Sequence, residues 1–412
     1  MLRSQRLLVA NEYNSKLRYL QSKNAYFLAI KQAKRNHWNQ FLEKEDPQSI
    51  FKAMAYTKDR LVERIPTIQG QSTFKGQCDT FRTTLFPPPP SAPEPNWVNY
   101  KKGEWKWEPL TSSELNRACS AKIKGKTPGP DLISQEIITH AYYTIPDVFF
   151  RLYSSLLNVG YHPKCWKQAI GAILKKPAKP DYSAPKAYRV ISLLNCLGKV
   201  SERILAQRLG YLAETTTLLH PSQIGGRLHK SAIDAALLLT TEIQSNKKRN
   251  LKTSTLLLDV KGAFDHVAKN QLLAILYKLR LPTSLISWVS SFLSDRFLGL
   301  SFNGQTEQST SINTGIPQGS PISPILFLIY IRDLFPTLAV RVLSYIDDIT
   351  LSTSSTSLKK NIRILEREAA KIYALGASNA IQFDLAKTEL IHFTTSKEAK
   401  TASLRLPNDE II

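Results

Sequence analysis

The chain is poor in acid, in cysteine and in long apolar runs. Its 412 residues hold 33 Asp and Glu against 55 Lys and Arg, a formal net charge of +22. Such a deficit of negative charge points to a polyanionic partner, nucleic acid ahead of a membrane surface. The four cysteines, Cys78, Cys119, Cys165 and Cys196, are too few and too scattered for a disulfide framework. None stands in a Cys-x-x-Cys pair, so neither a zinc knuckle nor a dithiol redox site is indicated, and a reducing compartment fits the usage. The longest apolar run, Ile325 to Ile331, falls well short of the eighteen or so residues that span a bilayer. No internal repeat and no clear targeting signal is present; the basic start, Met1 to Arg6, merges into the charge pattern that follows. What remains, 42% hydrophobic and 21% charged, is ordinary globular composition with room for two or three domains or subdomains.

Residues 1–60 read as a basic helical leader, with Leu17, Leu20, Tyr26, Phe27, Ile30, Trp38 and Phe41 near helical spacing among Lys and Arg. It is either an arm along a nucleic-acid backbone or a solvated linker. Residues 61–108 read as a linker ending in Phe86 to Pro95, where four consecutive prolines enforce an extended chain. Beyond it the pattern turns globular. Ser112-Ser113-Glu114 opens a helix, and Ser134 to Val159 reads as one long helix. Gly125-Lys126-Thr127 suggests a phosphate-binding loop, but Ser120 stands where its leading glycine belongs and no strand precedes it. Walker-type nucleotide binding is therefore rejected. Gly171 to Pro177 and Tyr188 to Leu194 each join a short apolar strand to cations, a hairpin able to aim Lys and Arg at phosphate.

The acids that are present fall in telling places. Ser254 to Val260 is a buried-strand pattern that ends in Asp259, and Val342 to Leu351 is an apolar, β-branched run around Asp347-Asp348. Adjacent carboxylates in so apolar a setting are costly unless a cation faces them. Each acid has a plain alternative: Asp259 and Asp265 as caps at strand-to-helix turns, Asp347-Asp348 as a polar hairpin tip. Together, three carboxylates on two strands suit two-metal phosphoryl transfer, and oxygen-only ligation favours Mg²⁺ over zinc. His266 has no nucleophile to serve, and Ser320 lacks the nucleophile-elbow pattern.

The ordered set Leu258-Asp259-Val260-Lys261-Gly262-Ala263-Phe264-Asp265-His266-Val267, Gly315-Ile316-Pro317-Gln318-Gly319-Ser320-Pro321 and Tyr345-Ile346-Asp347-Asp348 resembles reverse transcriptases of non-LTR (LINE-type) retrotransposons. Thr127 to Asp131, Lys175-Lys176-Pro177, Tyr188 to Leu194 and Gln223-Ile224-Gly225-Gly226-Arg227 resemble the same family's fingers motifs, in the same order. The resemblance implies an α+β right-hand polymerase, with mostly helical fingers over 109–250 and a palm over 251–412, an antiparallel four-stranded sheet backed by helices. The reverse transcriptase domain would run over about 155–412. It implies Asp259, Asp347 and Asp348, with the Val260 backbone carbonyl, as ligands of two Mg²⁺ ions, Mn²⁺ being a substitute. Lys387 would serve the departing pyrophosphate. Lys175 or Lys176, with Arg189, would hold the triphosphate, Phe264 would exclude a 2′-hydroxyl, and Gln318 and Gly319 would meet the incoming nucleotide. Arg227 and Tyr345 would touch template or primer. An RNA template, a DNA primer or target and dNTPs follow as partners, with no membrane, and nuclear residence is implied by the need to reach chromosomal DNA.

The sequence departs from the family pattern at Val190, where proline is usual, and at Gly226, where an aromatic is usual. Because the chain ends at Ile412, soon after Lys387, the expectation is that the helical thumb is absent. Two readings follow: an RNA-directed DNA polymerase, or a truncated nucleic-acid-binding relic of one. A group II intron maturase fits the loop after Asp259 less well.

Overall fold

The computed structural model describes residues 12–42, 65–88, 103, 105–121, 127–335, 339–407 and 409–412. The chain divides into a unit up to Arg64 and a second from Ile65 to Ile412. In the first, Glu12–Leu42 is one helix, and among its described side chains Leu20, Tyr26, Phe27 and Leu28 are exposed and none is buried. The rest of the expected leader, the polyproline run beyond Pro88 and the Gly125-Lys126 loop lie outside the described residues.

The described strands of the second unit are, in chain order, β1 (Gln168–Lys175), β2 (Tyr188–Leu194), β3 (Lys252–Asp259), β4 (Arg296–Phe302), β5 (Gln305–Thr306), β6 (Thr310–Ile312), β7 (Arg341–Tyr345), β8 (Asp348–Ser355) and β9 (Glu389–Phe393). They form two sheets. The first is a four-stranded, wholly antiparallel sheet in the order β7-β8-β3-β9. Its apolar residues alternate as a half-buried sheet requires: Leu256 and Leu351 are register partners, each fully buried. Truncating either to Ala costs roughly 2–5 kcal/mol. The helix Leu358–Ser378 backs β3 and β8 and buries Leu365, Ala369 and Ile372. The helix Ser323–Ile331 is apolar on every side and buried from Ile325 to Ile331, as a helix segment without a polar face must be.

The second sheet has the order β2-β1-β4-β5, with β6 also on β4. Sequence patterning finds its β1–β2 hairpin but not the parallel pairing of β1 with β4. The helix Thr283–Leu293 gives way within three residues to β4, which carries the chain into the second sheet. Two other elements differ from the sequence reading. The long helix breaks into Gln135–Thr144 and Pro146–Val159, because Pro146 has no N–H to continue the ladder but suits a first turn. Within the stretch read as linker, Phe74–Leu85 is a helix that lays Cys78, Phe81 and Leu85 on the second sheet, at the i, i+3, i+7 spacing of an apolar stripe.

Candidate active site

β7 and β8 form a hairpin closed by Tyr345 opposite Asp348, which leaves Ile346 and Asp347 as its two turn residues. Ile346 holds φ at +60°, a left-handed value rare for a β-branched residue and costing about 1–3 kcal/mol. Its neighbours fix it there. The Ser344 hydroxyl donates to the Ile346 carbonyl at 3.2 Å. Ile224 N–H donates to Ser344 O at 2.8 Å, and Ser344 N–H to Ser222 O at 2.8 Å. The Gln223 side chain, fully buried, donates to Leu328 O at 2.8 Å. Gly225 completes the brace, since a Cβ there would stand 2.5 Å from Ile346 N. The Gln223-Ile224-Gly225-Gly226 motif thus supports the acidic turn from the side.

Register then gathers the acids. Asp259 pairs directly with Asp348 across β3 and β8, so both side chains project from one face. Val260 N–H donates to Asp347 O at 3.2 Å, docking the turn on the end of β3. Like charges placed opposite one another repel. Burial, then Asp348 and Asp259, raises the Asp347 carboxyl, and burial with Asp259 raises Asp348. The compensating charge is Lys387. Asp384 N–H donates to Asp259 O at 2.8 Å, and a single 3-10 turn, Leu385–Lys387, brings the lysine back over the sheet. Its Nζ lies 2.7 Å from Asp259 Oδ2. Burial works to lower this ammonium's pKa, but the Asp259 partnership prevails and it is raised.

Among the described residues no three His, Cys, Asp or Glu side chains close on a common point as they stand. Asp259 is turned to Lys387 instead. The donor set nonetheless fits a hard divalent cation: carboxylate oxygens concentrated against mutual repulsion, with one ammonium to displace or share.

The cations of the β1–β2 hairpin separate into two groups. Lys175 Nζ sits over the Tyr182 ring, 5.1 Å from its centroid. Lys176 Nζ donates to Lys186 O at 3.0 Å, and its pKa is lowered by burial first and then by Lys387. Lys176 therefore shares the field of the acidic face. Arg189, opposite Leu174, is exposed.

After β3 the chain turns through Phe264, whose ring stacks on Phe327 at 5.4 Å. Ile316 N–H donates to Phe264 O at 2.8 Å, and the buried Arg296 binds Gly315 O at 2.7 Å, which docks the Gly/Pro loop beside it. Gln318 O accepts from Ser192 N–H at 2.7 Å on β2, while Gly319 is exposed with φ at +112°. Arg227 is not brought to this face. Its guanidinium holds both Glu214 oxygens, at 2.8 and 2.9 Å, and the backbone oxygens of Gln223 and Ala213.

Three residues that support the site carry no role in the sequence reading. Gly225 stands there only as part of a motif. Gln223 is polar at a fully buried position, which pattern alone does not reveal. Glu202 lies three residues before Leu205 and seven before Leu209, a carboxylate inside an apolar helical stripe, and that spacing was the available signal.

Asp259 and Asp348, paired across β3 and β8, with Asp347 in the β7–β8 turn and Lys387 against them, form an acidic arrangement of the kind that divalent-metal phosphoryl transfer requires. The chain belongs to the reverse transcriptase (RNA-dependent DNA polymerase) family, whose sequence profile matches residues 173–405. Family membership makes the four-stranded sheet the polymerase palm and implies use of a divalent metal. The probable RNA-directed DNA polymerase from transposon BS of Drosophila melanogaster is 28% identical over 268 residues, 63% of this chain and 29% of that protein. The RNA-directed DNA polymerase from mobile element jockey of the same fly is 30% identical over 267 residues, 60% of this chain and 28% of that one. A solved apo telomerase from Candida tropicalis, truncated from its C-terminal domain, covers 69% of this chain and 63% of its own at 11% identity and a TM-score of 0.43. The chain spans less than a third of the length of these two curated relatives.

Proposed function

We propose that this chain carries an RNA-directed DNA polymerase centre of a LINE-type retrotransposon, taking an RNA template, a DNA primer or target and dNTPs. The observation that carries the reading is the register pair Asp259–Asp348 with Asp347 in the turn beside it. In the reaction the primer 3′-oxygen bonds to the α-phosphorus of the dNTP. The bond to the β-phosphate oxygen breaks, pyrophosphate leaves, and the hydroxyl proton passes to solvent water.

Asp259, Asp347 and Asp348, with the Val260 carbonyl, would hold two Mg²⁺ ions, Mn²⁺ serving as a substitute. Bound there, divalent ions activate the 3′-hydroxyl and offset the charge that develops on the leaving phosphates. The protein's own groups do the rest. Lys387, held on the acidic face by Asp259, is placed to give a proton to pyrophosphate. Lys176 and the exposed Arg189 grip the triphosphate, with Arg189 able to do so bidentately. Lys175, over Tyr182, takes the secondary place. Phe264, backed by Phe327, lies beneath the sugar and excludes a 2′-hydroxyl. Gln318 and Gly319 meet the nucleotide, and Tyr345 meets the primer. Arg227, ion-paired with Glu214, would touch template or primer as well. Residues 109–250 act as fingers and 251–412 as palm, with β4 bridging them, and action on chromosomal DNA requires access to the nucleus.

Primer extension by the purified chain on poly(rA)/oligo(dT) with Mg²⁺ tests this reading. Incorporation that Asp347→Asn abolishes supports it. Template binding with no incorporation above that variant identifies the chain as an inactive nucleic-acid-binding relic.

A further inference from the structure

We propose that Glu202 is a positioning residue, fixing the Pro317–Ser320 loop so that Gln318 and Gly319 can meet the nucleotide; this rests on the polymerase reading above. Glu202 lies on the helix Cys196–Thr215, which carries none of the residues assigned to the chemistry. Its side chain is buried, 1% exposed, and its carboxylate accepts a hydrogen bond from the Ser320 hydroxyl, itself 5% exposed. Burial pushes the Glu202 carboxyl up to about 7, with Ser320, Lys199 and Arg203 drawing it the other way.

A carboxylate in such a place is a poor source of stability, because apolar residues of similar volume are often as good or better. What the pair provides is placement. Ser320 Oγ also accepts from Ile322 N–H at 3.3 Å, so a single hydroxyl joins the Glu202 helix, the loop and the start of the helix Ser323–Ile331. That helix carries Phe327, on which Phe264 stacks. On the other side of the loop β2 holds Gln318 O through Ser192 N–H. Gly319 passes so close that a Cβ there would lie 2.7 Å from Ser192 O. The loop is thus clamped at Gln318 O and at Ser320, with Gln318 half-buried and Gly319 between the clamps exposed. Releasing the Ser320 clamp frees the two residues that are to recognise the substrate and leaves the carboxylates at the hairpin untouched.

The test uses the full chain, poly(rA)/oligo(dT) and dTTP, with Glu202→Ala, Ser320→Ala and Glu202→Gln. The first two raise KM for dTTP about tenfold, the equivalent of one lost buried hydrogen bond, while kcat stays within about threefold. Glu202→Gln, which still accepts from Ser320, keeps KM within about threefold of wild type. A readout independent of catalysis is amide exchange: Ser320 and Ile322 exchange faster in Glu202→Ala and Ser320→Ala but not in Glu202→Gln. Should Glu202→Ala fail to fold, Ser320→Ala carries the test alone. Unchanged exchange in Ser320→Ala overturns the proposal, as does faster exchange with unchanged KM in an active enzyme. If the wild type incorporates nothing, the polymerase reading falls, and exchange at Ser320 and Ile322 still decides whether Glu202 sets the loop.

Discussion

Lys387 Nζ lies 2.7 Å from Asp259 Oδ2, on the same sheet face where Asp259 stands opposite Asp348. The lysine therefore offsets repulsion that the strand register builds in. Lys387→Met removes that offset and should lower the melting temperature in metal-free buffer, with the deficit narrowing as Mn²⁺ is added. Incorporation should fall by about 10²-fold or more, the low end of what a positioned general acid supplies. Thermal melts with and without Mn²⁺, set beside primer extension, check both halves. A deficit that Mn²⁺ does not narrow contradicts the charge-offset account.

The brace on the acidic hairpin makes a sharper steric prediction. Gly225→Ala puts a methyl 2.5 Å from Ile346 N and must displace the turn that holds Asp347. We expect activity to fall at least a hundredfold with template affinity retained. Gly210→Ala is the control, since nothing lies within 4 Å of its Cβ and the site is helical. That change should stabilise slightly, by about 0.5–1 kcal/mol, and leave the rate alone. Comparable rates for the two variants would falsify the brace.

Phe264→Val should admit ribonucleotides, because the ring proposed to close on a 2′-hydroxyl is then cut back. Loss of the stacking partner in Phe327→Ala should relax selection less and in the same direction. The dNTP-to-rNTP ratio of kcat/KM measures it, and an unchanged ratio in Phe264→Val removes the gate role.

Two buried groups set opposite pH slopes on stability. His162 is 1% exposed among Trp166, Trp288 and Phe292, and burial with Lys167 lowers it to about 3. The folded state excludes its proton while the unfolded chain binds one below about 6.5, so stability falls as pH drops from there. The slope from this group is at most about 1.4 kcal/mol per pH unit. Glu202 acts in the reverse sense: raised to about 7, it favours the folded state when protonated, and its contribution is lost as pH rises from about 4.5 through 7. Urea unfolding from pH 4 to 8 should show His162→Phe flattening the acid side and Glu202→Gln the neutral side. A Glu202→Gln curve parallel to wild type between pH 5 and 7.5 contradicts the second assignment.

The site was more legible than the fold around it. β3 and the β7–β8 hairpin announce themselves through apolar runs that carry acids, and the resemblance to LINE-type reverse transcriptases then singles out Asp259, Asp347 and Asp348 without knowledge of any distant pairing. The parallel contact of β1 with β4 has no local signature, because it joins segments with several helices and β3 between them. Helix 74–85 was hidden by the prolines that follow it, and Pro146 was overlooked inside an otherwise helical pattern. Residues that act through others, Gly225 and Glu202, carry no chemistry of their own to recognise. Their partners, Ile346 and Ser320, lie more than a hundred residues further along.

The central claim is that Asp259, Asp347 and Asp348 together bind the divalent metal that incorporation requires. Mn²⁺ titration followed by electron paramagnetic resonance, run alongside dTTP incorporation on poly(rA)/oligo(dT), tests it most directly. Wild type should show rate rising with Mn²⁺ occupancy, and Asp259→Asn, Asp347→Asn and Asp348→Asn should each lose tight occupancy and rate together while still binding template. Undiminished Mn²⁺ binding in all three variants, or incorporation that survives any of them at the wild-type rate, would contradict the account.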